Sequence, residues 1–267
     1  MNTRIEPKDR AFYLENGYFA RPDFLSPEEL EAWRAAVGNS VSARQGNGLP
    51  GTDRYDTKNK GEYGRDTFLQ LINLWKDNPA IGRLILSEAL GRMLCELSGL
   101  EGIRLWHDQA LIKPPWGNPT AYHRDNPYWS FHDARALSIW VALDAATRDN
   151  GCLYYIPGSH RSGDFRNSGI GPRLGDIYGV LPEFAGVEPV AAPLPAGGCV
   201  IHNGLTIHGA GANMTPRPRR AMTGQFMPLR AVYNGIQNVL SDEEAASLKV
   251  GDPLEDRQRN PLLFQAG

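Results

Sequence analysis

The stretch Ile103-Arg104-Leu105-Trp106-His107-Asp108-Gln109-Ala110-Leu111-Ile112-Lys113, closed by Pro114-Pro115, is where the chain changes character. Before it the pattern is helical. Ser26-Pro27-Glu28-Glu29 reads as a capping box, with Ser26 as N-cap, Pro27 at the first helical position and Glu29 at the third. Leu30, Trp33 and Val37 follow at helical spacing, and a second helix is expected from Asn78-Pro79 through Ile81, Leu84, Leu86, Leu90, Met93 and Leu97. From Ile103 onward the apolar runs are short and lie between Gly, Pro and Asn. Strands are expected at Ile103 to Lys113, Ala136 to Leu143, Cys152 to Ile156, Cys199 to His202 and Arg220 to Met227. Asp149-Asn150-Gly151, Pro157-Gly158 and Pro195-Ala196-Gly197-Gly198 supply the turns between them. Helices first and many short strands afterwards predict one α+β unit, mainly β, a strand sandwich or barrel buttressed by N-terminal helices.

Two regions lack this punctuation. Asn39 to Arg65 is Gly-rich and polar, and is read as a long loop, either disordered or a lid spanning 40–66. Arg161 to Pro189 is irregular and reads as an insertion over one face. After Pro228 the chain is expected to wrap back, with a short helix around Ser241 to Leu248. No repeat divides the sequence. One domain over 1–267 is expected, with a helical part over 1–100, a strand core over 103–228 and a C-terminal wrap over 229–267.

Composition narrows the partners. Twenty-eight Lys and Arg against 30 Asp and Glu leave a net charge of −2 with no long run of one sign, which argues against nucleic acid or an anionic membrane. The 41% apolar content allows a sizeable core. Cys95, Cys152 and Cys199 are scattered, odd in number and form no CxxC pair, so a reducing cytoplasm is expected. Met1 to Asp9 is too polar for a signal peptide, and no apolar run approaches the ~20 residues of a membrane span. These features point to a small-molecule substrate and leave the oligomeric state open.

The chemistry concentrates in His123-Arg124-Asp125 and the later His208. Residues i and i+2 of a strand share a face, so His123 and Asp125 are expected to project together into the barrel. His208 from another strand completes a set of two histidines and one carboxylate. Such a set holds Fe(II) on one face of an octahedron and leaves three positions open. The tripeptide alone is a weak signal and reads as well as a surface salt bridge. Downstream, Ile207-His208-Gly209-Ala210-Gly211-Ala212-Asn213 is followed by Pro218-Arg219-Arg220-Ala221. An arginine at that distance can lie on the next strand and face the same cavity, where its planar fork suits the far carboxylate of a dicarboxylate. Arg217 is read as part of a solvated basic turn. Lys113 shares a strand face with Gln109 and Leu111, and an inward lysine needs an anion; the competing reading is a strand-end lysine reaching water. His107-Asp108 and His132-Asp133 are adjacent pairs whose members face opposite ways. Cys152 and Cys199 read as core thiols.

Several ordered segments resemble the phytanoyl-CoA hydroxylase-like family of Fe(II)/2-oxoglutarate dioxygenases. They are Ile112-Lys113-Pro114-Pro115, His123-Arg124-Asp125, Leu137-Ser138-Ile139-Trp140-Val141-Ala142-Leu143, Asp149-Asn150-Gly151-Cys152-Leu153, Ile156-Pro157-Gly158-Ser159-His160-Arg161 and the stretch from His208 to Arg220. Gly17-Tyr18-Phe19-Ala20 and Leu25 to Leu30 fit the family's opening. The resemblance implies a double-stranded β-helix core, a jelly roll of the cupin kind. It implies His123, Asp125 and His208 as iron ligands, Arg219 on the far carboxylate of 2-oxoglutarate, and Lys113 and Trp140 lining the cosubstrate pocket beside Gln109. Trp140 reads equally as core. The implied reaction uses O2 to convert 2-oxoglutarate to succinate and CO2 while oxidising a substrate, with hydroxylation as the default. Related halogenases lack the carboxylate, so Asp125 argues against halogenation. His208 is preferred to His202 as distal ligand because Asn213 and Arg219 follow it at the family spacing, and His160 is read as a structural turn residue.

The substrate is less legible. Trp116, Tyr128, Trp129 and Phe131 flank the HxD segment, and Tyr55, Lys58, Asn59 and Tyr63 lie in the long loop. Aromatic faces with interspersed polar groups suit a polar, ring-containing molecule, although each ring reads as well as core. The expectation is a tailoring oxygenase of specialised metabolism acting on a polar or glycosylated metabolite, orthoester formation on an oligosaccharide antibiotic included. The alternatives are an acyl-CoA or lipid-like substrate, a catalytically silent jelly roll that binds a ligand, and a zinc hydrolase. No HExxH-type glutamate supports the last.

Overall fold

Strand β5, Leu137–Ala142, is buried along its whole length, and what covers each of its faces defines the architecture of this computed structural model, which describes residues 1–47 and 66–267. Leu137, Ile139 and Val141 point outward into a core shared with the N-terminal helices. Ser138, Trp140 and Ala142 point inward, the alternation a pleated strand requires.

β5 sits in a seven-stranded antiparallel sheet. Its order is β1 (Tyr18–Arg21), β8 (Cys199–Asn203), β5, β10 (Arg219–Pro228), β3 (Gly102–Lys113) and β11 (Leu262–Gln265), with β2 (Leu69–Ile72) also paired to β3. Opposite lies a four-stranded antiparallel sheet, β4 (Thr120–His123), β9 (His208–Ala210), β6 (Leu153–Tyr155) and β7 (Val190–Ala192). Together they form the expected jelly roll. Helices Pro27–Asn47, Pro79–Ile85 and Glu88–Ser98 cover the outer face of the larger sheet, where Trp33, Ile81, Leu90 and Leu94 pack with Ile139, Ile201 and Met222. Each fully buried aliphatic side chain there contributes about 1.5–3 kcal/mol. Between the sheets, Trp140, Val200 and Ala221 meet Leu153, Tyr155 and Ala210.

One irregularity matters for the site. The β3–β10 register shifts between Gln225 and Phe226, which pair with His107 and Leu105 and leave Trp106 as the extra residue. A bulge of this kind reverses which side chains face inward. Leu105 and Ile103 therefore belong to the outer core, whereas His107, Gln109 and Leu111 line the interior.

The helices depart from expectation in two places. The first runs to Asn47 instead of fading into a loop near Asn39. Its apolar stripe gives way to polar anchors: Ser40 Oγ accepts from Asn78 Nδ2 at 2.9 Å, and buried Arg44 donates to the Ile72 carbonyl at 2.6 Å and to Asp77. The second is two helices, broken at Leu86-Ser87. The break lets Glu88–Ser98 lie on β11, where Gly91 is so close to Leu263 and Phe264 that a Cβ would come within 2.8 Å of both. The capping box is present, with Ser26 N donating to Glu29 Oε2 at 2.9 Å and Glu29 N to Ser26 Oγ at 3.2 Å. So is the C-terminal helix, Asp242–Ala246, capped by Ser241. All three cysteines are buried free thiols. Among the described residues no helix is long and apolar enough to cross a membrane.

Candidate active site

A cavity of about 770 Å3 opens between the two sheets, and its wall includes His123, Asp125 and His208. Their ligand atoms lie within 4.8 Å of one another. His123 and His208 are paired across β4 and β9, which sets their rings 4.4 Å apart. Each directs Nδ1 at the carbonyl two residues earlier, His123 at Ala121 O (2.8 Å) and His208 at Thr206 O (3.0 Å). A carbonyl only accepts, so each Nδ1 carries the proton and each Nε2 keeps a free lone pair. That is the state a metal requires of an imidazole.

Asp125 arrives differently from the strand-alternation expectation. β4 ends at His123, and Asp125 has helical backbone angles (φ −80°, ψ −48°) at the start of the short turn Asn126–Tyr128. Its N–H and that of Asn126 donate to the Gly204 carbonyl at 3.0 and 2.9 Å, which ties this turn to the β8–β9 connection. The turn brings Asp125 Oδ1 to 3.5 Å from His123 Nε2 and 3.7 Å from His208 Nε2. The surface salt-bridge reading of the tripeptide fails too, because Arg124 is fully buried and points away. It donates to Asp164 O (2.7 Å), Ser159 O (3.1 Å) and Ser162 Oγ (2.7 Å).

The electrostatics suit a cation. Burial opposes ionisation of Asp125, but the histidines around it, with His202 Nε2 donating to Oδ2, hold the carboxyl well below its usual range. Burial, reinforced by His202, pushes His208 down to about 3, so its imidazole is neutral at physiological pH. One carboxylate oxygen and two imidazole Nε2 atoms therefore converge, a donor set that fits Fe(II).

Arg219 lies on β10, opposite Lys113 in register. Its guanidinium sits 4.9 Å over the Trp140 ring and lines the cavity. Nε and Nη1 are buried and have no hydrogen-bond partner among the described residues. Burial pushes it down to about 10, still a cation at neutral pH. A buried, unpartnered fork beside the metal donors fits a dicarboxylate such as 2-oxoglutarate. Gln109 also lines the cavity and accepts from Gln70.

Lys113 corrects the sequence expectation. It is fully buried, but it does not line the cavity. Its Nζ donates to the backbone carbonyls of Thr67 and Asn118, and its stem runs against Gly151. The inward lysine found carbonyls in place of an anion. Among the expected substrate residues, Tyr128 and Trp129 line the cavity, with Tyr128 Oη donating to Ser168 O at 2.7 Å. Trp116 is 69% exposed, sits at φ +60° and is not part of the lining. The Pro114–Gly117 turn carries it outward, because Gly117 N bonds back to Pro114 O. Tyr55, Lys58, Asn59 and Tyr63, and most of the expected lid, lie outside the described residues.

The lining residues that escaped the sequence reading include His107, Ser138, Thr223 and Gln225. Counting back by twos from Trp140 reaches Ser138, and counting forward by twos from Arg219 reaches Thr223 and Gln225, so strand alternation held the signal. His202, weighed only as a rival distal ligand, places Nε2 3.1 Å from Asp125 Oδ2.

Comparison with known proteins agrees with this geometry. The sequence matches the phytanoyl-CoA dioxygenase (PhyH) family over residues 13–221. It is 32% identical to a phytanoyl-CoA dioxygenase domain-containing protein 1 of Danio rerio, covering 84% of this chain and 90% of that one. Among solved structures it is similar to the non-haem, α-ketoglutarate-dependent carbocyclase SnoK from nogalamycin biosynthesis, with 26% identity, a TM-score of 0.75, and 98% of this chain and 97% of that chain covered. It is similar also to the epimerase SnoN in complex with Fe3+, α-ketoglutarate and nogalamycin RO, with 26% identity, a TM-score of 0.75, and 96% and 98% coverage. A cupin-type jelly roll, a converging His-Asp-His set and a family match across most of the sequence lead to one conclusion: the chain belongs to the phytanoyl-CoA dioxygenase family of iron- and 2-oxoglutarate-dependent oxygenases.

Proposed function

We propose that His123, Asp125 and His208 hold the iron, that Arg219 stacked on Trp140 grips the far carboxylate of 2-oxoglutarate, and that the substrate is an uncharged, polar, ring-bearing metabolite. When bound, iron(II) supplies the redox chemistry that couples O2 and 2-oxoglutarate to substrate oxidation, with succinate and CO2 as co-products. The protein supplies the rest. His123 and His208 keep their protons on Nδ1, Asp125 stays ionised, and Arg219 offers a preorganised cation that needs no rearrangement to meet a carboxylate.

The observation that carries the substrate class is the charge of the wall. Among the described lining residues Asp125 is the one carboxylate and Arg219 the one cation. Once metal and cosubstrate engage these two, what the described residues offer the substrate is neutral: Gln225, Thr223, Asn238, Tyr128 and Trp129, with His107 pushed down to about 4 by burial. Hydroxyls and ring faces suit such a wall, whereas a CoA diphosphate calls for several cations. SnoK and SnoN, which act in the biosynthesis of one natural product, support a tailoring role. Hydroxylation or oxidative ring closure on a glycosylated metabolite, orthoester formation included, is the proposed outcome.

The test has two stages. Metal-free protein is titrated with Fe(II) and 2-oxoglutarate without oxygen, beside Asp125→Ala and Arg219→Ala. A visible charge-transfer band lost in Asp125→Ala and weakened in Arg219→Ala supports the assignments; identical behaviour in all three sinks them. O2-dependent succinate release is then followed with neutral glycosides and with fatty acyl-CoA thioesters. Efficient coupling to the thioesters and none to the glycosides would overturn the substrate class while leaving the metal site intact.

A further inference from the structure

The two oxygens of Asp125 have different surroundings. Oδ1 faces the free nitrogens of His123 and His208. Oδ2 points the other way, where it accepts from Ser138 Oγ at 2.9 Å and lies 3.1 Å from His202 Nε2. A carboxylate has no proton to give, so His202 Nε2 is the donor. The other ring nitrogen of His202, Nδ1, is 3.0 Å from Tyr155 Oη. A chain of hydrogen bonds therefore runs from Tyr155 through the His202 ring to Asp125 Oδ2.

The network is built into the sheet. His202 pairs in register with Tyr18 on one side and with Ser138 on the other, forming a row across β1, β8 and β5. Tyr155, from the opposite sheet, lies flat on Tyr18 with ring centroids 4.5 Å apart and an interplanar angle of 5°. Ser138 is the one hydroxyl in a strand otherwise made of Leu137, Ile139, Trp140, Val141 and Ala142. Ser138, Tyr155 and His202 are each at least nine-tenths buried. A polar row through an apolar layer needs a purpose, because an alanine and a phenylalanine would fill the same space without it.

We propose that Ser138 and His202 are positioning residues that hold Asp125 as a one-oxygen metal ligand, with Tyr155 holding the His202 ring in place. Both lone-pair directions of Oδ2 are occupied, so the carboxylate cannot turn to offer Oδ2 to the metal. Oδ1 alone remains, and the position a second oxygen would take is kept for cosubstrate or O2. The inference rests on the assignment of Asp125 as an iron ligand.

The test compares Ser138→Ala and His202→Phe, which remove the donors, with His202→Gln, which can still donate to Oδ2, and with Asp125→Ala. Fe(II) affinity in the presence of 2-oxoglutarate is measured without oxygen by competition with a coloured chelator, and the charge-transfer band is recorded for each. Folding is checked by thermal melting; Ser138→Ala, a one-atom change, keeps the test valid should His202→Phe not fold. Ser138→Ala and His202→Phe are expected to weaken Fe(II) binding by roughly 10–100-fold and to shift the band, with His202→Gln returning toward wild type. Affinities and bands within about twofold of wild type for Ser138→Ala and for folded His202→Phe, while Asp125→Ala loses binding, overturn the clamp and leave the iron assignment standing. Wild-type protein that binds no Fe(II) overturns both.

Discussion

Arg219 and Arg220 are consecutive on β10, yet Arg219 is buried in the cavity wall with Nε and Nη1 unpartnered among the described residues, while Arg220 locks Asp144 with Nε and Nη2 at 2.9 and 2.7 Å. Pleating alone separates them. Arg219→Lys is therefore expected to weaken 2-oxoglutarate binding by about tenfold or more, since a point charge cannot replace a planar fork on a carboxylate. Arg220→Ala should leave that affinity unchanged and cost roughly 0.2–1 kcal/mol of stability, the range for a partly exposed ion pair. Anaerobic titration with 2-oxoglutarate and urea unfolding of both variants check this; equal affinity in Arg219→Lys and wild type would remove Arg219 from the cosubstrate site.

Much of this was legible in the sequence because strands announce themselves by period and turns by Gly and Pro. The five expected strands are present, and Gly102–Lys113 lies within one residue of the stretch that marks the change of character. What escaped were short pairings whose partners are distant in sequence. β1, β2, β7 and β11 have three or four residues each and exist because β8, β3 and β6 offer them an edge. The three expected donor residues converge, but not in the way strand alternation implies. His123 and Asp125 converge through a turn held by Gly204, not through the i, i+2 rule. Lys113 was misplaced because a sequence gives no account of where unpaired carbonyls will lie.

The lysine gives a pH prediction. Burial, with Arg219 nearby, pushes Lys113 down to about 7. In the unfolded chain its value is about 10.4. Between the two the unfolded state binds more protons than the folded state, so this residue makes stability rise with pH across that window. Its cost is full below about 7. Urea unfolding of wild type and Lys113→Met from neutral pH upward should show the two curves converging as pH rises. Parallel curves would show that Lys113 keeps its charge in the fold.

Gln225 donates from Nε2 to Thr223 Oγ1 at 2.9 Å, and its Oε1 is buried without a partner among the described residues. An unpaired buried acceptor costs about 1–3 kcal/mol. Gln225→Leu should therefore melt no lower than wild type. If Oε1 accepts from a substrate hydroxyl, the same change lowers substrate-coupled succinate release and leaves the slow substrate-free consumption of 2-oxoglutarate unaltered. A lower melting temperature with unchanged coupling would reverse the assignment and make Gln225 structural.

Gly204 touches no metal donor through a side chain, yet its carbonyl accepts from both Asp125 N and Asn126 N. A Cβ at this position would come within 2.8 and 2.9 Å of the Trp129 ring and 3.0 Å of Asn126 Cβ. Trp129 is buried against Phe131 with ring centroids 5.4 Å apart, so the ring cannot swing away freely. Gly204→Ala must then push the β8–β9 connection off the Asp125 turn, at an overpacking cost of typically 1–3 kcal/mol. Because that turn carries Asp125 to the two histidines, Fe(II) affinity is expected to fall in step with the melting temperature. Trp129→Leu in the same chain clears the space, and should return part of the affinity although it lies outside the donor set. Fe(II) binding in Gly204→Ala equal to wild type, measured by chelator competition at a temperature where both are folded, would mean that Asp125 holds its place without the Gly204 carbonyl.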